Sequence, residues 1–224
     1  MCFSPEADAA LGLAIGVVGI DALRHVSDRR QIPLAALPIL FAAHQLIEVL
    51  VWWGLDGTVA SWVGRTGAYL YLVIAFLLPV VIPIASLAIE SDRRRRRVMG
   101  ALAALGAVVS VVLLTALVRN GLWAEADGLH VSYSVGVERG RLFTVLYVIA
   151  ACGAFLVSSQ RRIAVVGWLN LLAVTILAWL TVDGVISLWC AWAAVTSVLI
   201  AAYLRTTGPA APSPIGVDVP SAPA

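Results

Sequence analysis

Residues Ile39–Trp53, ILFAAHQLIEVLVWW, form an apolar run that nevertheless holds His44, Gln45 and Glu48. With its flanks the run is long enough to cross a bilayer, whose hydrocarbon core takes about 20 helical residues. At 3.6 residues per turn, positions 44, 45 and 48 share one helical face. An ionisable carboxyl near the middle of a membrane costs at least ~2.5 kcal/mol on insertion scales. A helix that keeps one there is expected to turn it inward, toward other helices. The run therefore reads as one span of a polytopic bundle, with a polar face directed at its interior.

The composition agrees. Of 224 residues, 61% are hydrophobic and 12% are charged, whereas a soluble domain carries about 25% charged residues. The net charge of +2 gives no reason to expect a nucleic-acid partner. All the basic side chains are Arg; there is no Lys. Cys2, Cys152 and Cys190 are too few and too scattered for a disulfide framework or a CxxC metal site. Met1–Ala10 carries Glu6 and Asp8 and no basic n-region, so it does not read as a secretion signal.

Outward from the central run, the pattern gives seven spans. Ser4-Pro5-Glu6-Ala7-Asp8 reads as a helix start, with Glu6 and Asp8 as acids at its positive end. The first span then runs to about Leu23, with a Gly12/Gly16 motif suited to close helix contact, and Asp21 is expected to pair with Arg24. The second span is Leu34–Trp53, and the loop Gly54–Thr66 follows. The third, Gly67–Ile89, contains Pro79 and Pro83, which free backbone carbonyls that another helix or a polar group must satisfy. The fourth is Val98–Val118, the fifth Leu142–Ser158, the sixth Ile163–Thr181 and the seventh Val185–Leu204. Between the fourth and fifth, Asp127-Gly128 is a hairpin-turn dipeptide. Leu129, Val131, Tyr133 and Val135 then alternate with polar residues, which predicts a short β-hairpin over one end of the bundle, with His130 exposed. The expected organisation is a transmembrane domain over residues 1–205 and a disordered, Pro- and Ala-rich tail over 206–224.

Eleven of the 15 Lys+Arg positions fall on one side of this arrangement and four on the other. The richer side should be cytoplasmic, which puts the N-terminus and the hairpin outside and the C-terminus inside. Arg93, Arg94, Arg95, Arg96 and Arg97 form a run explained by this topology and by contact with anionic lipid.

The opening Met1-Cys2-Phe3-Ser4 is similar to the start of an uncharacterised family of small, mostly bacterial multi-pass membrane proteins that carry only a domain-of-unknown-function label. The resemblance continues through Pro38, Gln45, Glu48 and Trp52, then Pro79 and Pro83, and Cys152 with Ser158-Ser159. It ends at Ser187-Leu188-Trp189-Cys190 and Ala193. His44 departs from it, standing where an apolar or neutral polar residue is expected. The resemblance implies a membrane bundle, a bacterial cytoplasmic membrane and no assigned activity.

The topology places Cys2, Gln45, Glu48 and Cys190 in comparable outer layers, under Tyr133 of the hairpin. The candidate pocket is Cys2, His44, Gln45, Glu48, Trp52, Tyr133, Trp189 and Cys190. Glu48 reads either as a proton acceptor or ligand in a cavity or as a polar contact between helices. His44 reads as a core histidine bonded to a carbonyl, or as a metal ligand with Cys2 and Cys190. No standard hydrolase, nucleotide-binding or metalloprotease motif is present. Three functions stay open: small-solute or proton-linked transport or sensing at Glu48, a membrane enzyme using the Cys2 and Cys190 thiols or a metal, and a structural subunit of a membrane complex.

Overall fold

The computed structural model describes residues 4–127, 130–180 and 185–207, with side chains at 4–126, 130–176 and 192–207. Among these residues seven α-helices form: α1 (Pro5–Arg24), α2 (Ile32–Leu55), α3 (Ser61–Ile89), α4 (Arg93–Asn120), α5 (Gly140–Leu156), α6 (Arg161–Leu180) and α7 (Val185–Thr207). A 3-10 turn, Arg29–Gln31, precedes α2. A two-stranded antiparallel sheet, β1 (Trp123–Asp127) and β2 (His130–Ser134), lies between α4 and α5. The turn and α2 together (Arg29–Leu55), α3 and α4 have 27, 29 and 28 residues and are apolar enough to cross a membrane. At 1.5 Å per residue each reaches about 40 Å.

Successive helices pack on one another, α7 returns onto α1 and α2, and α5 packs on α3 and α4 as well as α6. The chain thereby closes around an interior bordered by α2, α3, α4, α5, α6 and α7. The main core joins Ile15 of α1, Leu34 and Leu37 of α2, Ala85 of α3, Phe155 of α5, Ile163 of α6 and Ile200 of α7. Two smaller clusters, around Tyr71 and Leu117 and around Trp52 and Val131, lie toward the hairpin.

Helix α3 begins at Ser61, six residues before the expected Gly67. The reason is the crossing with α2. Gly54 and Gly64 face each other so closely that a Cβ on Gly54 would stand 2.4 Å from the Gly64 Cα, and nothing in Ser61–Thr66 breaks a helix. Pro79 and Pro83 sit inside α3 without ending it. Pro79 lacks the N–H that would bond the Ala75 carbonyl four residues back, and the Tyr147 hydroxyl of α5 donates to that carbonyl at 2.8 Å. Pro83 likewise frees the Pro79 carbonyl. Gly106 of α4 lies against it, where a Cβ would come within 1.8 Å of the oxygen. Ser110, one turn on, donates to the Phe76 carbonyl at 2.5 Å. The two prolines thus dock α4 and α5 onto α3.

In the hairpin, Asp127 pairs with His130 and Trp123 with Ser134, so the connection is residues 128–129, which lie outside the described set. Val131 is buried against Trp52 and Ala68. His130, expected to be exposed, is half-buried.

The opposite end of the bundle is held by Glu90, between α3 and α4. Its carboxylate accepts from the Ser91 and Asp92 amides at 3.0 Å each, and from the Ser159 amide and hydroxyl at 2.7 and 2.6 Å. Burial pushes this carboxyl up, but the hydrogen bonds, led by the Ser159 hydroxyl, outweigh it and hold it below the ordinary 4.5. Arg95 donates to the Val157 and Ser158 carbonyls, and Arg96 to those of Leu87 and Glu90. Two of the five arginines in the run therefore tie off helix ends. Asp21 pairs with Arg205 of α7 at 2.8 Å and lies 3.6 Å from His25, not with Arg24 as expected; the neighbour across the bundle wins over the one along the helix.

Candidate functional site

Helix α1 starts as its residues require: Ser4 accepts from the Ala7 amide at 3.2 Å and Pro5 occupies the first turn. Glu6 is exposed at this end. Asp8 is not a capping acid. It is 0% exposed, with Oδ1 accepting from Gln45 Nε2 at 3.2 Å and Oδ2 from Trp52 Nε1 at 2.9 Å. Its orientation follows from the small-residue face of α1. Asp8, Gly12, Ile15, Gly19 and Ala22 are the buried positions of that helix, and they recur at helical spacing. Gly12 lets α2 come so near that a Cβ there would stand 2.9 Å from Leu46 and 3.1 Å from the Gln45 Cβ. Asp8, one turn before Gly12, therefore meets α2 side chains and not water.

On α2, His44, Gln45, Glu48 and Trp52 are all buried. His44 Nε2 donates to the Tyr71 carbonyl at 3.0 Å, and its ring stacks on the Tyr71 ring at 3.8 Å. Tyr71 stacks in turn on Tyr133 of β2 at 4.8 Å. The Tyr133 hydroxyl donates to Glu48 Oε1 at 3.3 Å. The polar face of α2 thus joins α1 through Asp8, α3 through Tyr71 and the hairpin through Tyr133.

Beside this cluster is a cavity of about 300 Å³. His44 and Gln45 line one side, Phe76 the α3 side, Tyr133 the hairpin side, and Tyr147 the α5 side. Asn170 of α6 and Thr196 of α7 border it as well and bond each other at 3.2 Å. Glu48 and Asp8 are each one hydrogen bond behind a lining side chain, Tyr133 and Gln45 respectively. Cavities from this volume upward hold small ligands, typically with apolar walls and a few placed polar groups; the wall here has that make-up.

Of the residues singled out in the sequence, His44, Gln45, Glu48, Trp52 and Tyr133 gather in this one region. Cys2 lies outside the described residues. Trp189 and Cys190 fall within α7, and their side chains lie outside the described set. Cys152 is buried in α5 and is not among the cavity's described walls. Among the described residues no three His, Cys, Asp or Glu side chains gather as a metal site would require. Asp8, Tyr147, Asn170 and Thr196 are the site residues that the sequence reading left out of the pocket. For Asp8 a signal existed in its register with Gly12 and Gly19. For Tyr147 it was the unpaired carbonyl that Pro79 must leave. Asn170 and Thr196 carried no more than polarity within an apolar run.

The chain matches the model of a family of unknown function, DUF6629, over residues 1–214. No curated protein and no solved structure matches it.

Proposed function

The chain belongs to DUF6629, a family of unknown function, and from its own geometry we propose that it is a seven-span membrane protein that binds a small solute inside its bundle, as a sensor or carrier. The cavity of about 300 Å³ bordered by six helices, α2 to α7, and the hairpin carries this reading. The membrane part is supported by apolar side chains on the outer surface. Val17 of α1, Val118 of α4 and Trp168 of α6 are 69%, 82% and 64% exposed, in helices whose polar residues turn inward or to the ends. Water disfavours such a coat and lipid accepts it.

In this reading the arginine-rich end with Glu90 faces the cytoplasm and the hairpin faces outward, in a bacterial cytoplasmic membrane. Arg93, Arg94 and Arg97 are exposed beside the committed Arg95 and Arg96, and they meet anionic headgroups. Asp8 and Glu48 stand behind the cavity wall, where a bound solute and a proton can influence each other.

The test uses the full chain in lipid nanodiscs. Native mass spectrometry is expected to find a small molecule retained by the wild type and lost from Ala193→Phe, which fills the α7 side of the cavity. If no bound mass appears, and no neutral, cationic or anionic small solute shifts the melting temperature, the bundle is not a solute site.

A further inference from the structure

The five arginines at the start of α4 are not one uniform patch. Arg96 is tied to the Leu87 and Glu90 carbonyls. Arg95 reaches across to the end of α5, where Nη1 donates to the Val157 carbonyl at 2.7 Å and the Ser158 carbonyl at 3.0 Å. Arg94 is exposed, and its side chain has no hydrogen bond or ion pair among the described residues. Arg94, Arg95, Val98 and Val157 line an open recess of about 310 Å³. Val98 follows both arginines by one turn on the same side of α4, whereas Arg93 lies about 140° around the axis from it.

The recess follows from the way the two helices meet. Deeper in the bundle α4 and α5 close on each other, and a Cβ on Gly153 would stand 3.3 Å from Leu102. Helix α5 ends at Leu156, so toward the arginine end nothing of α5 continues beside α4. The floor left there is apolar, with Val98 42% exposed, and the rim is two guanidinium groups. Arg95 spends only Nη1 on α5, which fixes its place and leaves Nε and Nη2 to donate.

No carboxylate lines the recess. The two acids nearest in sequence are bonded elsewhere, Asp92 to the Arg95 amide and Glu90 to the Ser91, Asp92 and Ser159 amides and the Ser159 hydroxyl. Guanidinium groups pair well with phosphate oxygens, while the ammonium of a zwitterionic headgroup finds no acid here. An occupant must set an anion on the rim and apolar matter on the floor.

Resting on the membrane reading and not on the cavity, we infer that this recess is a binding site for one anionic glycerophospholipid. Its phosphodiester lies between Arg94 and Arg95, and its chains start over Val98 and Val157. Arg93 and Arg97 supply only the diffuse attraction that any basic juxtamembrane segment exerts.

Native mass spectrometry of the full chain in neutral detergent tests this, with phosphatidylglycerol and phosphatidylcholine of identical chains offered at equal concentration. The wild type is expected to retain one phosphatidylglycerol, in about tenfold preference to phosphatidylcholine. Arg94→Gln is expected to weaken that retention about tenfold, as loss of a charge-assisted hydrogen bond does. Arg93→Gln removes the same charge from the same run and should weaken it twofold or less. Val98→Trp, which fills the floor, should also release the lipid, whereas millimolar inorganic phosphate should leave it bound. Equal retention of the two lipids overturns the site, and so do equal effects of Arg93→Gln and Arg94→Gln, which would show a diffuse field. Displacement by inorganic phosphate also overturns it, because the floor would then contribute nothing. The membrane reading fails on a different result, a full chain that stays dispersed without detergent. The choice between headgroups is read on the wild type, so a variant that does not fold leaves it decided.

Discussion

Asp8 is the residue on which the hairpin end of the bundle depends. It receives one hydrogen bond from each of two buried donors on α2, so its removal takes an acceptor from both. Asp8→Ala is expected to destabilise the protein by about 2–4 kcal/mol, since a buried unsatisfied donor costs ~1–3 kcal/mol. Denaturation with sodium dodecyl sulfate in mixed micelles would read this. Trp52→Phe, which removes one donor and keeps most of the ring, should cost less. In the double variant the two effects should couple by roughly 1 kcal/mol; simple additivity would mean that the bond between them stabilises nothing. The identity of Asp8 as an acid near a helix start was plain from the sequence. Its burial was not, because helix starts favour acids whether they face water or a neighbour. Only the arrival of α2 at Gly12 distinguishes the two.

At the scale of elements, the prolines of α3 and the turn at Glu90 do the joining. Gly106→Ala places a methyl into the Pro79 carbonyl oxygen, and α4 must move off α3. Overpacking of this kind costs ~1–3 kcal/mol, and the same unfolding assay should register it. Gly100→Ala, where a Cβ meets nothing within 4 Å, is the matched control and should be neutral or slightly stabilising. Glu90 predicts a pH dependence with a definite sign. Its carboxyl titrates lower folded than unfolded, so its contribution is full above the unfolded value near 4.5 and is lost as pH falls through the lower, folded value. Wild-type stability should therefore drop below about pH 4.5, while Glu90→Gln should be less stable at pH 7 and lose less across that acid window, where Asp21, held low by Arg205, still contributes. An acid-induced drop of equal size in Glu90→Gln would place the sensitivity elsewhere. That Pro79 must leave a carbonyl for another group was readable from the sequence by simple counting. That Tyr147 would supply the hydroxyl was not, since 72 residues separate the pair.

For the whole molecule the proposed orientation makes a prediction about access. Single cysteines in a Cys2→Ser/Cys152→Ala/Cys190→Ala background should label oppositely with an impermeant maleimide. Glu125→Cys on the hairpin is expected to react in intact cells, and Arg161→Cys at the start of α6 only after lysis. The reverse pattern would invert the topology and put the arginine run outside. Helix number and the hairpin were legible in the sequence because apolar runs, breakers and alternation of two are local signals. Each is written within a few turns of chain and reports what that segment can do in any setting. Of the cavity, only the α2 side at His44 and Gln45, with Tyr133 above it, was legible. The space exists because α7 returns to α1 and α2 while α5 lies on α3 and α4, so that the polar atoms of Tyr147, Asn170 and Thr196, unremarkable one by one, border it together with Gln45. Periodicity says which way a side chain turns from its own axis. What it meets there depends on where the other axes pass, and that is settled by packing between segments far apart in the chain.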